Sequence, residues 1–131
     1  MVGIVLVSHS YKIAEGIKDL TDQVAADHKG IICAAGLEDK SIGTDAIRIS
    51  EAVKKANDGD GVVILADLGS GVMSAETAID LLEDENIDVR LADAPVVEGS
   101  IAAAIRAVCG GTVDQVIAAA EETRAVKKIY S

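Results

Sequence analysis

Two residues of this sequence, His9 and Asp67, have side chains suited to chemistry, and each directly follows an aliphatic run. His9 follows residues 1–8, and Asp67 follows residues 61–66. Nearly continuous apolar runs of this kind are typical of strands that are buried on both faces of a parallel sheet. Ligands bind outside the carboxyl ends of such strands, so the two side chains can approach one another if their strands are neighbours.

A histidine paired with a carboxylate in this way can act as a nucleophile. If Asp67 accepts a hydrogen bond from Nδ1–H of His9, it fixes the tautomer of the imidazole and leaves the lone pair on Nε2. The carboxylate also stabilises the cation that forms when Nε2 attacks, which is what a phosphorylatable histidine needs. Taken alone, the histidine could equally be a capping or packing residue, and the aspartate a helix cap or turn former.

Phosphoryl transfer also needs hydrogen-bond donors for the phosphoryl oxygens, because its catalysis is largely positioning and electrostatics. Backbone N–H groups at the starts of three predicted helices could supply them, and nearby hydroxyl groups could add to them. Each hydroxyl alone is weak evidence, since Ser and Thr are ordinary helix caps. The candidate phosphoryl-binding residues are Ser8, Ser10, Gly43, Thr44, Gly69 and Ser70.

The second histidine and the two cysteines are assigned no chemistry. His28 falls between the first helix and the second strand, at the amino end of the sheet, and we expect a solvated loop residue. Cys33 lies in an apolar run and is expected to be a buried thiol. With Cys109 it forms no spacing motif, which favours a cytosolic compartment. The sequence contains no Walker A motif, dinucleotide fingerprint or metal-ligand set, so we expect no cofactor and no metal.

The composition narrows the classes of partner. A net charge of −10 makes nucleic-acid binding by bulk electrostatics and adsorption to an anionic membrane unfavourable. Hydrophobic residues make up 50% of the 131 residues, which is enough for the core of a single domain over residues 1–131. We expect no signal peptide, since the first apolar run is short and lacks a basic flank, and no run approaches the ~20 apolar residues of a membrane helix. The protein is therefore expected to be cytoplasmic.

Strand and helix patterns alternate along the chain. They predict an α/β fold of three layers, in which helices cover both faces of a mostly parallel sheet. The fourth strand is shorter and more polar, so we place it toward an edge. The predicted strands are residues 1–8, 30–35, 61–66 and 87–91, and the predicted helices are residues 11–27, 44–57, a stretch ending near 85, one from about 98 and one following 112.

The same patterns predict where helices begin and which faces they bury. Three polar residues stand at helix starts, and the predicted N-caps are Ser10, Thr44 and Thr112. Apolar residues at three- and four-residue spacing define the inward face of the first helix as Ile13, Ile17, Leu20 and Val24. Ile47 is expected to face inward from the second helix. Residues 126–130 are either a final strand or a loose end.

Five short segments stand in the same order in a known family. They are IVLVSHS at residues 4–10, IGTDA at 42–46, DLGS at 67–70, SAETA at 74–78 and APVVEG at 94–99. Together they resemble the DhaM family, the phosphotransferase subunits of dihydroxyacetone kinases that draw phosphate from phosphoenolpyruvate. The first domain of that family is related to the IIA domain of mannose-type sugar phosphotransferase systems. The resemblance extends to about residue 120, and IGTDA and SAETA indicate the kinase branch.

The resemblance implies that His9 is the phosphoacceptor and that Asp67 is the acidic residue near it. It implies that His9 receives its phosphoryl group from HPr and passes it to ADP bound by the DhaL subunit, for use on dihydroxyacetone bound by DhaK. It further implies a homodimeric phosphotransferase subunit with no kinase activity of its own. Some relatives carry HPr-like and enzyme-I-like domains after the first domain, and the length of this chain leads us to expect separate donor proteins. Residues 124–131 match nothing in the family.

Three other interpretations remain open at this point. An IIA component of a mannose-type sugar phosphotransferase system would use the same chemistry with a membrane-associated acceptor complex. A receiver-like signalling domain phosphorylated on Asp67 would need an acidic metal pocket at the end of the first strand, where residues 8–10 read Ser-His-Ser. A purely structural module would leave the two polar strand ends unexplained.

Overall fold

Four parallel strands form the central sheet of this protein, described here for residues 1–130 by a computed structural model. The strands are β1 (Gly3–Ser8), β2 (Ile31–Ala35), β3 (Val62–Ala66) and β4 (Val89–Leu91), and they lie in the order β2-β1-β3-β4. The two central strands, β1 and β3, are buried along their whole length, which explains their continuous apolar sequences. The predicted parallel α/β fold is confirmed, and so is the edge position of the short fourth strand.

Within the described part of the chain, five helices cover the two faces of the sheet. They are α1 (Tyr11–Val24), α2 (Ala46–Ala56), α3 (Gly69–Leu81), α4 (Val96–Val108) and α5 (Val113–Glu122), with a short 3₁₀ turn at Thr123–Ala125. The core on one face joins α1, α4 and α5 to one set of alternating strand residues, and the core on the other face joins α2 and α3 to the other set. The sheet is therefore the middle layer of three.

Two of the three predicted helix N-caps are confirmed. The Ser10 hydroxyl accepts the N–H of Ile13 at 3.4 Å, and Thr112 forms a capping box on α5. The prediction that Thr44 caps α2 is wrong: Asp45 is the cap, and its carboxylate accepts the N–H of Ile47 at 2.9 Å. A carboxylate is a good cap because its charge also interacts favourably with the positive end of the helix dipole.

The predicted inward face of α1 is also wrong. Ile13, Leu20 and Val24 are 50%, 47% and 44% exposed, and of the four predicted residues only Ile17 is buried. The buried face instead continues through Ala14 and Thr21. Small residues on this face let the helix lie close to the sheet, and the Thr21 hydroxyl is satisfied by the Lys18 carbonyl at 2.9 Å, so it can be buried. Ile47 of α2 is likewise exposed.

His28 is a buried structural residue and not the solvated one that we expected. It is 5% exposed, its Nε2 lies 2.7 Å from the Val2 carbonyl, and its Nδ1 accepts the Gly30 N–H at 2.9 Å. Because Nδ1 accepts, Nε2 carries the hydrogen and the ring is neutral. Burial lowers the pKa of this imidazole. The ring therefore ties the segment before β2 to the start of the chain.

The remaining expectations concern the cysteines and the end of the chain. Cys33 is partly buried, and burial raises the pKa of its thiol to about 11, whereas Cys109 is exposed. Residues 126–130 form no strand, and Ser131 lies outside the described residues. Within residues 1–130, no helix is both long and apolar enough to cross a bilayer.

Candidate active site

His9 and Asp67 lie side by side at the carboxyl end of the sheet. They follow the adjacent strands β1 and β3, in which Val7 is paired with Ala66, and the Asp67 N–H donates to the Val7 carbonyl at 3.1 Å. The chain leaves β1 toward β2 on one side and returns to β3 on the other, so this is the topological switch point of the sheet, where such folds bind ligands. The predicted proximity of the two side chains is confirmed.

The carboxylate of Asp67 holds the imidazole of His9 by Nδ1. Nδ1 lies 3.0 Å from Oδ1 and 3.2 Å from Oδ2. Burial works to raise the pKa of the Asp67 carboxyl, but hydrogen bonds from the His9 and Leu68 N–H groups, the Ser8 hydroxyl and the His9 ring together hold that pKa below its usual range. The carboxylate is therefore ionised and can only accept hydrogen bonds, so the hydrogen sits on Nδ1 and the lone pair on Nε2.

The reactive nitrogen faces the start of α3. The Ser70 hydroxyl, in the first turn of that helix, is hydrogen-bonded to Nε2. The first N–H groups of a helix have no intrahelical partners, and Leu68 at the cap position of α3 provides no side-chain cap. The first turn of α3, which reaches Nε2 through the Ser70 hydroxyl, therefore carries backbone N–H groups without intrahelical partners and the positive end of the helix dipole, and both favour an anionic group there.

The other candidate phosphoryl-binding residues are engaged elsewhere. Ser10 caps α1, as described above. The Gly43 N–H donates to the His9 carbonyl at 3.0 Å and so positions the backbone of the histidine. The Thr44 hydroxyl is 2.6 Å from that of Ser74, which joins the loop before α2 to α3. The structure therefore brings the Ser70 hydroxyl to Nε2, while these three residues shape the surroundings.

Ser8 lies behind the imidazole rather than beside its reactive atom. It is 1% exposed, and its hydroxyl donates to Oδ2 of Asp67 at 2.9 Å. The same hydroxyl oxygen accepts the N–H of Ser10 at 3.1 Å. The hydroxyl therefore both donates and accepts a hydrogen bond, and its partners are Asp67 and the backbone at the start of α1.

Gly71 is a site residue that no sequence pattern singled out. A Cβ added at this position would lie 2.8 Å from Oδ1 of Asp67 and 3.6 Å from Cε1 of His9. Helix α3 can therefore pass this close to the aspartate only because residue 71 has no side chain. The second glycine of the Gly69-Ser70-Gly71 cluster was the available signal, since glycine inside a helix is unfavourable without a packing reason.

Four exposed apolar residues lie on the loop, the turn and the helix that follow the carboxyl ends of β2 and β3. Leu37 and Ile42 lie on the loop that follows β2, Leu68 lies on the turn that follows β3, and Met73 lies in α3; all four are exposed. The His9 side chain itself is 22% exposed. Exposed apolar residues gathered at a polar site are typical of a surface that contacts another protein. Among residues 1–130, no group of His, Cys, Asp and Glu side chains is arranged to hold a metal ion.

Comparison with known proteins gives a consistent result. Residues 3–117 match the EIIA-man family, described as the PTS system fructose IIA component. The chain is 44% identical over 121 residues to the PEP-dependent dihydroxyacetone kinase, phosphoryl donor subunit DhaM, of Escherichia coli K12, which covers 89% of this chain and 26% of that protein. It is 38% identical over 107 residues to the PEP-dependent dihydroxyacetone kinase 2, phosphoryl donor subunit DhaM, of Listeria innocua, covering 81% of this chain and 86% of that one.

The relatives differ in length, and solved structures share the fold. The chain spans only 28% and 26% of two of the longer curated relatives. The chain is 35% identical to a protein of unknown function whose crystal structure is known. The two structures align over 100% of each chain with a TM-score of 0.82. The phosphotransferase system component EIIA of Streptococcus agalactiae has a TM-score of 0.68 at 15% identity, over 97% of each chain, which shows the fold alone. The resemblance that the five segments indicated is confirmed.

Proposed function

This chain belongs to the EIIA-man family, together with the DhaM phosphoryl donor subunits, and we propose that it is a phosphohistidine carrier that holds its phosphoryl group on Nε2 of His9. One observation carries the proposal: the Asp67 carboxylate lies 3.0 Å from Nδ1 and so directs the lone pair to Nε2. Nε2 faces the Ser70 hydroxyl and the start of α3, which supply donors to the phosphoryl oxygens.

The chemistry consists of two displacements at phosphorus. In the first, the Nε2 lone pair forms a bond to phosphorus while the bond between phosphorus and the donor breaks. The imidazole then carries a positive charge, which Asp67 stabilises while Nδ1 keeps its hydrogen. In the second, an acceptor oxygen bonds to phosphorus, the bond from phosphorus to nitrogen breaks and its electron pair returns to Nε2. The loose transition state needs positioning and charge stabilisation more than covalent help from further residues.

We further propose that the chain, as a single domain, is the phosphoryl donor subunit of a phosphoenolpyruvate-dependent dihydroxyacetone kinase. The names of its curated relatives support this assignment. In this proposal HPr is the donor, ADP bound by DhaL is the acceptor and DhaK holds the dihydroxyacetone. The four exposed apolar residues that follow the carboxyl ends of β2 and β3, which are Leu37, Ile42, Leu68 and Met73, support successive contacts with two proteins. The chain would work as a cytoplasmic homodimer and would have no kinase activity alone.

A second candidate function is the IIA component of a mannose-type sugar phosphotransferase system. The description of the matching family favours it, because that description names a sugar system and no kinase. Both functions place the phosphoryl group on His9. They differ in the acceptor, which is ADP on DhaL in one case and a sugar-specific IIB protein in the other.

The test begins by labelling the chain with phosphoenolpyruvate, enzyme I and HPr, followed by mass mapping of the modified residue. His9→Gln should abolish labelling, and His28→Gln, which changes the other histidine of the sequence, should retain it. The labelled chain is then divided between DhaL with ADP and a IIB protein. Discharge to DhaL with ADP supports the kinase assignment, and discharge to IIB alone overturns it. Labelling that survives His9→Gln overturns the carrier proposal itself.

A further inference from the structure

Ser8 is the last residue of β1, and its hydroxyl has two defined neighbours. Its oxygen lies 2.9 Å from Oδ2 of Asp67 and accepts the N–H of Ser10 at 3.1 Å. The residue is 1% exposed, so neither a partner protein nor a phosphoryl group on Nε2 can reach it. This location separates Ser8 from the residues that face Nε2.

The direction of the bond between Ser8 and Asp67 follows from chemistry. An ionised carboxylate accepts hydrogen bonds and donates none, so Ser8 must donate its proton to Oδ2. The N–H of Ser10 occupies a lone pair on the same oxygen. The hydroxyl is thereby fixed in one orientation, toward the carboxylate.

The two oxygens of Asp67 are each held by two donors. Oδ2 receives the Ser8 hydroxyl and the His9 N–H, both at 2.9 Å. Oδ1 receives the Leu68 N–H at 2.7 Å and the His9 Nδ1–H at 3.0 Å. Two of these four donors are backbone groups and one is the reacting ring. The Ser8 hydroxyl is the donor that a side-chain substitution can remove without altering the histidine.

We propose that Ser8 is a positioning residue that fixes the plane of the Asp67 carboxylate and, through it, keeps the hydrogen of His9 on Nδ1. The proposal rests on the proposed function of His9 for its effect on phosphoryl transfer, but its effect on the ring can be measured without any partner. Without the hydroxyl, Oδ2 keeps one donor and the carboxylate can turn about its Cβ–Cγ bond. The bond to Nδ1–H weakens, and the tautomer with hydrogen on Nε2 becomes more populated.

The experiment reads the tautomer directly by ¹⁵N NMR of the imidazole nitrogens in the unphosphorylated chain. The wild-type protein should show hydrogen on Nδ1 of His9. Ser8→Ala should show an increased fraction with hydrogen on Nε2, and Ser8→Thr, which keeps a hydroxyl, should restore the wild-type pattern. Ser100→Ala is the matched control, because Ser100 is also buried but donates to the Val96 carbonyl within α4.

Transfer kinetics supply a second readout. The rate constant for phosphoryl transfer from HPr should fall about tenfold in Ser8→Ala, the lower end of what such outer hydrogen-bond partners contribute. The KM for HPr should stay unchanged, since Ser8 touches no partner. If Ser8→Ala does not fold, Ser8→Cys keeps the volume with a much weaker donor and should show the same change of tautomer.

The outcomes separate this proposal from the carrier function. A folded Ser8→Ala or Ser8→Cys protein whose His9 keeps the wild-type tautomer overturns the role of Ser8, even if His9 is labelled normally. A changed tautomer in a chain that HPr does not label supports the role of Ser8 in the resting ring and overturns the carrier function instead.

Discussion

The substitution Gly71→Ala adds a single methyl group beside His9 and Asp67. The new Cβ would lie 2.8 Å from Oδ1 of Asp67, and ordinary contact between these atoms requires the oxygen to move by roughly 0.5 Å. Oδ1 is already 2.7 Å from the Leu68 N–H, so it has little room on that side. A movement away from the histidine would lengthen its 3.0 Å bond to Nδ1 to about 3.5 Å, where a hydrogen bond is largely lost, and would leave Nδ1 only the longer 3.2 Å contact with Oδ2.

The size of the effect follows from the bond that is lost. A hydrogen bond to a charged group contributes about 1.5–3 kcal/mol. If the transition state depends on that bond, phosphoryl transfer should slow by about 10- to 150-fold. Stability should change little, because alanine gains about 0.5–1 kcal/mol over glycine inside a helix and the strained contact offsets this gain.

The assay is rapid-quench transfer of labelled phosphate from HPr, together with thermal unfolding of the same samples. Gly16→Ala in α1 is the matched control, since a Cβ there meets no atom within 4 Å. It should be slightly more stable than the wild-type protein and should transfer phosphate at the wild-type rate. A folded Gly71→Ala protein that also transfers at the wild-type rate would refute the reasoning.

Three further outcomes are expected. Asp67→Asn should keep the fold but slow transfer by about 100-fold or more, because an amide can donate to Nδ1 and select the wrong tautomer; an unchanged rate in the same quench assay would contradict this role. The free energy of unfolding in urea should fall as the pH drops below about 6.5, the ordinary pKa of histidine, because burial lowers the pKa of His28 and the unfolded chain binds the proton first. His28→Gln should remove that part of the pH dependence. If the free energy of unfolding depends on pH in the same way in His28→Gln and in the wild-type protein, the role of His28 is contradicted. Iodoacetamide near pH 8 should modify exposed Cys109 at least tenfold faster than Cys33, whose thiol pKa is raised to about 11, as peptide mapping would show; equal rates would contradict the burial argument.

The meeting of His9 and Asp67 was predictable because it depends on strands alone. Each residue follows a continuous apolar run, and parallel strands bring their carboxyl ends to one edge of the sheet. The only further requirement was that the two strands be neighbours, which the order β2-β1-β3-β4 satisfies. The edge position of β4 was also predictable, because its strand sequence is short and polar.

The features that could not be predicted from the sequence depend on distances between helices and strands. The face of α1 that is buried is set by how closely the helix lies on the sheet, and Ala14 permits a closer approach than Ile13 would. The burial of His28 depends on the Val2 carbonyl, which is 26 residues away in sequence. Gly71 gains its importance from Asp67, a contact between a helix and a strand end that no local pattern encodes.

The hydrogen bond between the Ser70 hydroxyl and Nε2 bears on the reversibility of the phosphoryl transfer that we propose for His9. A phosphoryl carrier must pass its phosphoryl group to the acceptor as readily as it receives that group from the donor. When Nε2 is empty, the hydroxyl donates to the lone pair; when Nε2 is loaded, the same hydroxyl can turn to a phosphoryl oxygen. One donor then serves both states, so neither the empty nor the loaded form loses this hydrogen bond. In the proposed function this contact therefore favours neither form, and the direction of phosphoryl flow depends on the donor and the acceptor instead.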